Sequence, residues 1–174
     1  LPQPEGLRGE LRPYQRYGFS WLAFFKRFGL GACLADAMGL GKTIQALALL
    51  VREKEKTGSL PAPYLLVCPT SVVSNWEHEV RRFAPGLTTM KHQGASRLRG
   101  EEFGQAARNT DLVLSSYAVV RQDSEFLQAV DWGGVIVDEA QNIKNPSAKQ
   151  TQAVRKLRTG FRLAMTGTPV ENSS

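Results

Sequence analysis

Cysteine and histidine are scarce, two of each in 174 residues: Cys33, Cys68, His78 and His92. None of them stands at metal-ligand spacing, so a zinc or iron–sulfur module is not expected. Both cysteines lie inside apolar runs, which reads as small buried hydrophobes in a reducing compartment. That fits the cytoplasm, or the nucleoid if the source is bacterial. The histidines are far apart and are assigned no chemistry. No apolar run approaches the roughly 18 residues of a membrane-spanning helix. The opening Leu1-Pro2-Gln3-Pro4-Glu5-Gly6 lacks the charged-then-apolar order of a signal peptide. An initiating Met is also missing, and the sequence stops at Glu171-Asn172-Ser173-Ser174 just after a motif-like segment. Both features are expected of a piece taken from a longer protein. Acidic residues are outnumbered, 16 against 22 basic, for a formal net charge of +6. That balance suits a polyanionic partner such as nucleic acid or nucleotide without requiring one.

What is present suits one domain with a sizeable core, since 42% of the residues are hydrophobic. Residues 1–12 are rich in Pro and Gly and read as irregular. From Pro13 to Arg27, Tyr14, Tyr17, Gly18, Trp21, Leu22 and Phe25 fall at helical spacing, with Pro13 in the first turn and Gly29 and Gly31 as terminators. Apolar, strand-like runs follow at Ala32–Ala35, Tyr64–Cys68, Thr88–His92, Leu112–Ser115, Val135–Val137 and Phe161–Met165. Helical patterns lie between them at Thr43–Lys54, Val72–Phe83, Tyr117–Val130 (interrupted) and Ser147–Leu157. Alternating strands and helices predict an α/β domain with a mainly parallel central sheet covered on both faces. Arg52–Lys56 reads as a solvated helix end, and Gly94–Gln105 as a mobile loop or a short amphipathic helix. No internal repeat or domain boundary is visible.

The segment Asp36-Ala37-Met38-Gly39-Leu40-Gly41-Lys42-Thr43 joins a predicted strand to a predicted helix. Gly39 and Gly41 carry no Cβ, so the backbone can curl its N–H groups around phosphate oxygens. Lys42 can reach the terminal phosphates and the Thr43 hydroxyl can ligate magnesium. The helix adds its positive N-terminus. The pattern G-x-x-x-x-G-K-[ST] is missed once, because Asp36 occupies the first glycine's place. A glycine turn before a core helix is the alternative.

A second motif, Gly134-Val135-Ile136-Val137-Asp138-Glu139-Ala140-Gln141, is an apolar strand ending in two acids. Ligands of open α/β sheets bind beyond the carboxyl ends of the strands, which puts Asp138 beside the phosphate loop. Asp138 can hold magnesium, and Glu139 can polarise a water for attack on a phosphate. A strand-end turn is the plain alternative. Met165-Thr166-Gly167-Thr168-Pro169 ends another strand, and its hydroxyls can bond the acids and sense the γ-phosphate. Cys68-Pro69-Thr70-Ser71 precedes a helix with Asn75 and Trp76. There Thr70 or Ser71 can cap the helix and also meet a phosphate.

These segments, together with Leu11-Arg12-Pro13-Tyr14-Gln15 and the ending Val170-Glu171-Asn172, resemble the first RecA-like lobe of the Swi/Snf-type ATPases of helicase superfamily two. The resemblance runs from about Leu11 to the end, so residues 13–174 are expected to form that lobe, with the second lobe absent. Asp36 is usual at its position in that family. Ala37 departs from the acidic residue often found there, with little effect expected. Gln141, where eukaryotic remodellers tend to carry His, gives the chain a bacterial or archaeal style.

The resemblance implies that Gln15 reads adenine, supported by Arg12 and Tyr14, and that Asp36, Met38, Gly39, Leu40, Gly41, Lys42 and Thr43 hold ATP. It implies magnesium at Thr43 and Asp138, catalysis by Lys42 and Glu139, and coupling through Gln141, Thr166, Gly167 and Thr168. Thr70, Ser71, Asn75, Trp76, Ser115 and Tyr117 are the expected nucleic-acid contacts. The implied activity is DNA-dependent ATP hydrolysis driving translocation on double-stranded DNA, with a second lobe supplying an arginine. The 174 residues alone are then expected to have little or no ATPase activity. A strand-separating or RNA-acting lobe of the same superfamily is the alternative. A small-molecule kinase would be expected to carry the strict first glycine and an arginine-rich lid, and neither is seen. A non-catalytic binding module is disfavoured because Lys42, Thr43, Asp138 and Glu139 are all present.

Overall fold

The structure is a computed structural model that describes residues 1–27, 32–35, 41–140 and 148–166, with only the backbone course for residues 21, 22, 24–27 and 32–35. Its centre is a six-stranded sheet in the order β1-β8-β6-β2-β4-β3. The strands are β1 (Ala32–Ala35), β2 (Tyr64–Cys68), β3 (Thr89–His92), β4 (Leu112–Ser116), β6 (Gly134–Val137) and β8 (Arg162–Thr166). Every pairing in it is parallel, so all the carboxyl ends share one edge. β8 lies between β1 and β6, with Ala35 opposite Thr166 and Val137 opposite Ala164. The strand before the phosphate loop and the strand of the acids are therefore separated by the Thr166 strand.

Period-2 alternation sends side chains to two cores. Leu66, Cys68, Leu112, Leu114, Ile136, Leu163 and Met165 face one of them. That core is closed by α1 (Pro13–Arg27), α2 (Lys42–Thr57) and α3 (Val73–Phe83). Leu65, Val67, Val113, Val135 and Val137 face the other, closed by α4 (Gly100–Arg108), α5 (Tyr117–Gln122), α6 (Ser124–Leu127) and α7 (Lys149–Arg155). Helix α2 is buried from Ile44 to Val51 because α1 and α3 flank it over the sheet. Fully burying a leucine is worth about 1.5–3 kcal/mol, so Leu47, Leu49 and Leu50 anchor the helix whose first turn forms the phosphate site.

Of the two forms expected of segment 94–105 the helix is found: a turn leads into α4, whose Phe103 and Ala107 are buried. Other details differ from the expectations. Two strands too short to show a pattern, β5 (Asp131–Trp132) and β7 (Arg158–Thr159), pair in a separate two-stranded sheet. The charged end of α2 is not simply solvated. Lys54 bonds Asp111 at 2.7 Å and the Gly86 carbonyl at 2.8 Å, and Glu55 accepts from Gly6 N–H at 2.6 Å. Residues 1–12 contain no helix or strand, yet Leu7 and Leu11 are buried and Arg8 N–H bonds the Phe83 carbonyl at 2.8 Å.

His92 is also tied down. Its Nε2 lies 2.8 Å from Asp123 Oδ2, and Arg97 bonds the same carboxylate at 2.7 Å. Burial pushes the imidazole below its ordinary value against the opposing pull of Asp123. Burial works to raise Asp123, but the hydrogen bonds from Arg97 and His92 outweigh it and hold the carboxyl low. No helix among the described residues is long and apolar enough to cross a membrane.

Candidate nucleotide and nucleic-acid site

Gly41 precedes α2 with φ 89° and ψ 0°, a left-handed conformation that disfavours any side chain. A Cβ there would also collide with the Gln15 amide. No side chain caps the helix at Gly41, so the first-turn N–H groups remain available to an anion. Lys42 follows, mostly buried, with Nζ 3.8 Å from Asp138 Oδ1. The Lys42 side chain thus crosses the end of β8 to reach the acid that follows β6.

Beside this turn is a cleft of about 620 Å³ lined by Arg12, Tyr14, Gln15, Gly41 and Thr43, a volume in the range of small-molecule sites. Gln15 is oriented within it, because its Oε1 accepts from Arg12 N–H at 2.8 Å. Glu79, Arg82 and Phe83 of α3 also line the cleft, which sequence reasoning missed. Arg82 stacks over the Phe83 ring at 4.8 Å. The spacing of 79 and 83 marks one helix face, but nothing in the sequence says that this face meets α2. Asp36, Met38, Gly39 and Leu40 lie outside the described residues.

Asp138 and Glu139 form a turn directly after β6. Asp138 N–H bonds the Val67 carbonyl at 2.8 Å, fixing the turn to β2. Asp138 Oδ1 accepts from Glu139 N–H at 2.8 Å, and Oδ2 accepts from the Trp76 indole N–H at 2.7 Å. A carboxylate offers about four acceptor positions; two are taken by these N–H groups, and the others remain for Lys42 or a cation. Hard oxygen ligands of this kind, with the Thr43 hydroxyl, fit magnesium. Glu139 has φ 57°, the one positive φ outside glycine among the described residues. Thr166 is buried at the end of β8, between the lysine and the acids. Gln141, Gly167 and Thr168 lie outside the described residues.

The expected nucleic-acid contacts divide into two groups. Thr70, Ser71 and Asn75 are exposed where β2 runs into α3. Neither hydroxyl caps α3: Thr70–Val72 forms a 3₁₀ turn and Val72 takes the cap position with no side-chain bond. Trp76, Ser115 and Tyr117 are buried and spend their polar groups inside the domain. Trp76 donates to Asp138 and Ser115 Oγ to the His92 carbonyl at 2.9 Å, while Tyr117 donates to the Asp138 carbonyl at 2.5 Å. Trp76 turns inward because Val73, Trp76 and Val80 share the core face of α3. Ser115 is enclosed because β4 is flanked by β2 and β3.

Comparison with known proteins agrees with this arrangement. The sequence profile of the SNF2-related domain matches residues 14–174. The "Putative ATP-dependent helicase/translocase YwqA" of Bacillus subtilis is 48% identical over 165 residues, which are 95% of this chain and 18% of that protein. "Helicase SWR1" of Saccharomyces cerevisiae is 41% identical over 179 residues, covering 99% of this chain and 12% of that protein. The chain therefore spans under a fifth of the length of these relatives. Among solved structures, the "Sulfolobus solfataricus SWI2/SNF2 ATPase core in complex with dsDNA" superimposes with a TM-score of 0.87 at 41% identity, over 99% of this chain and 35% of that one. The RecA-like architecture is thus shared, and by profile, identity and fold the chain belongs to the SNF2-related domain family.

Proposed function

We propose that residues 13–174 are the ATP-binding lobe of a DNA-dependent ATPase that translocates on double-stranded DNA, with residues 1–12 as a leading segment packed onto it. The observation that carries this reading is Lys42 at the uncapped start of α2, 3.8 Å from Asp138, beside a cleft that holds an oriented Gln15. The Sulfolobus relative was solved with double-stranded DNA, which supports that polymer as the partner. The relatives' greater length leaves room for a second RecA-like lobe in the same protein.

In this reading the Gln15 amide pairs with the adenine edge, whose N6 and N7 groups match an amide donor–acceptor pair. Gly41 N–H and the α2 N-terminus bind phosphate oxygens, and Lys42 exchanges its bond to Asp138 for the terminal phosphates. Thr43 and Asp138 hold magnesium, which neutralises charge on the phosphates. Glu139 orients a water and takes its proton. Thr166, with Gly167, Thr168 and Gln141, senses the state of the site. Thr70, Ser71 and Asn75 track DNA phosphates, contacts that carry no sequence information themselves. An arginine from the second lobe completes the site; since such a residue is worth roughly 10³–10⁵ in rate, the 174 residues alone should bind nucleotide and turn it over slowly. The compartment that suits this function is the cytoplasm, at the nucleoid if the source is bacterial. Hydrolysis by the full-length protein on duplex DNA, single strands and RNA is the test. Duplex DNA should stimulate most; stronger stimulation by single strands or RNA would move the function to a strand-separating or RNA-acting enzyme.

A further inference from the structure

Trp76 and Tyr117 belong to two different segments at the carboxyl edge of the sheet. Trp76 is on α3, one residue after the exposed Asn75 and six and five residues beyond Thr70 and Ser71. Tyr117 opens α5 directly after Ser116, the last residue of β4, whose hydroxyl caps that helix by accepting from Val119 N–H. Both aromatic side chains reach the same turn. The Trp76 indole donates to the carboxylate of Asp138 at 2.7 Å. The Tyr117 hydroxyl lies 2.5 Å from the Asp138 carbonyl and 3.3 Å from that of Glu139. These two donors therefore fix both the side chain of the first acid and the backbone of the second. Glu139 needs such restraint, because its φ of 57° is one that residues with side chains rarely adopt.

We infer that Trp76 and Tyr117 form the link through which DNA held at Thr70, Ser71 and Asn75 acts on the acidic turn. The inference rests on the proposed function and adds the physical connection between its two halves. A shift of α3 on engaging a DNA strand moves the indole bonded to the turn, whose backbone Tyr117 holds. The carboxylate of Asp138 and the peptide of Glu139 must then move with it. Linkage requires the reverse effect as well, so nucleotide with magnesium alters the affinity for DNA by the same factor.

The test is a set of calorimetric titrations on the full-length protein, wild type, Trp76→Phe and Tyr117→Phe. Each is titrated with a non-hydrolysable ATP analogue, with and without magnesium and with and without random-sequence duplex DNA. A hydrogen bond to a charged group is lost in Trp76→Phe, so magnesium-dependent binding should weaken by roughly tenfold. Binding of the analogue without magnesium should be unchanged. In both variants the change in analogue affinity produced by DNA should collapse toward none. Tyr117→Phe removes only a hydroxyl, and it carries the test should Trp76→Phe fail to fold. A variant that keeps the full DNA effect overturns the link, even if its magnesium affinity has dropped. Wild-type protein that binds DNA and magnesium–nucleotide without mutual effect overturns it too. Wild-type protein that binds no magnesium–nucleotide overturns the proposed function instead.

Discussion

Lys42 has Asp138 as its ion-pair partner at 3.8 Å, and Asp138 keeps two N–H donors without it. Lys42→Ala should therefore abolish ATP turnover while moving the melting temperature by no more than roughly 4 °C, the shift about 1 kcal/mol produces in a chain of this size. Calorimetric melting of the nucleotide-free variant checks this, and a much larger drop would make the lysine structural. Cys68 shows the opposite case of a polar group silenced. Burial and then the nearby Asp138 push its thiol up to about 12. In a Cys33→Ser background it should resist iodoacetamide at pH 8 until denaturant is added, and rapid labelling of the native protein would contradict its placement. At this scale the sequence was informative where chemistry constrains the residue type. Lys42 and Asp138 were read as one site, and the structure brings them together. Trp76 was read as a DNA contact from the family resemblance, although its spacing with Val73 and Val80 already marked the buried face. The bond from its indole to Asp138 depends on strand order, which no local pattern displays.

Among the elements, long periodic segments were legible and short or tertiary-determined ones were not. The pattern from Pro13 to Arg27 is α1. β5 and β7 have two residues each and pair only because the chain brings them together. The cap expected at Thr70 or Ser71 is absent because the chain there enters a 3₁₀ turn, whereas Ser116 caps α5. The turn between β3 and α4 depends on Asp123, which binds His92 and Arg97 from its position at the end of α5. Asp123→Ala would leave Arg97 and His92 facing a buried gap and should cost about 3–5 kcal/mol by urea unfolding; a loss under 1 kcal/mol would show that the network contributes little. The direction of the pH effect follows from His92. Its folded pKa is lowered, so the unfolded chain takes up a proton near pH ~6.5 that the folded protein refuses. Stability should be complete above that value and decline as pH falls below it. The urea midpoint at pH 5.5 should lie below that at pH 7.5, and His92→Gln should shrink the difference; an undiminished difference would assign the effect elsewhere.

For the whole molecule, the parallel sheet gathers the nucleotide cleft, the acidic turn and the exposed Thr70, Ser71 and Asn75 along one edge. The net charge of +6 is modest, so DNA binding should rest on phosphate contacts. Affinity of the full-length protein for random duplex DNA should fall steeply between two salt concentrations with little sequence preference, because each neutralised phosphate releases counterions. Salt-independent binding, or strong preference for one sequence, would refute backbone tracking. The central claim is that Lys42, Asp138 and Glu139 hydrolyse ATP in response to duplex DNA. Its most direct measurement is duplex-stimulated hydrolysis by the full-length protein and its Glu139→Gln variant, with nucleotide affinity measured on the same samples. The account predicts strong stimulation of the wild type, unchanged nucleotide affinity in the variant and a turnover lower by roughly 10²–10⁴-fold. A variant that hydrolyses ATP at the wild-type rate, or a wild type indifferent to duplex DNA, would contradict it.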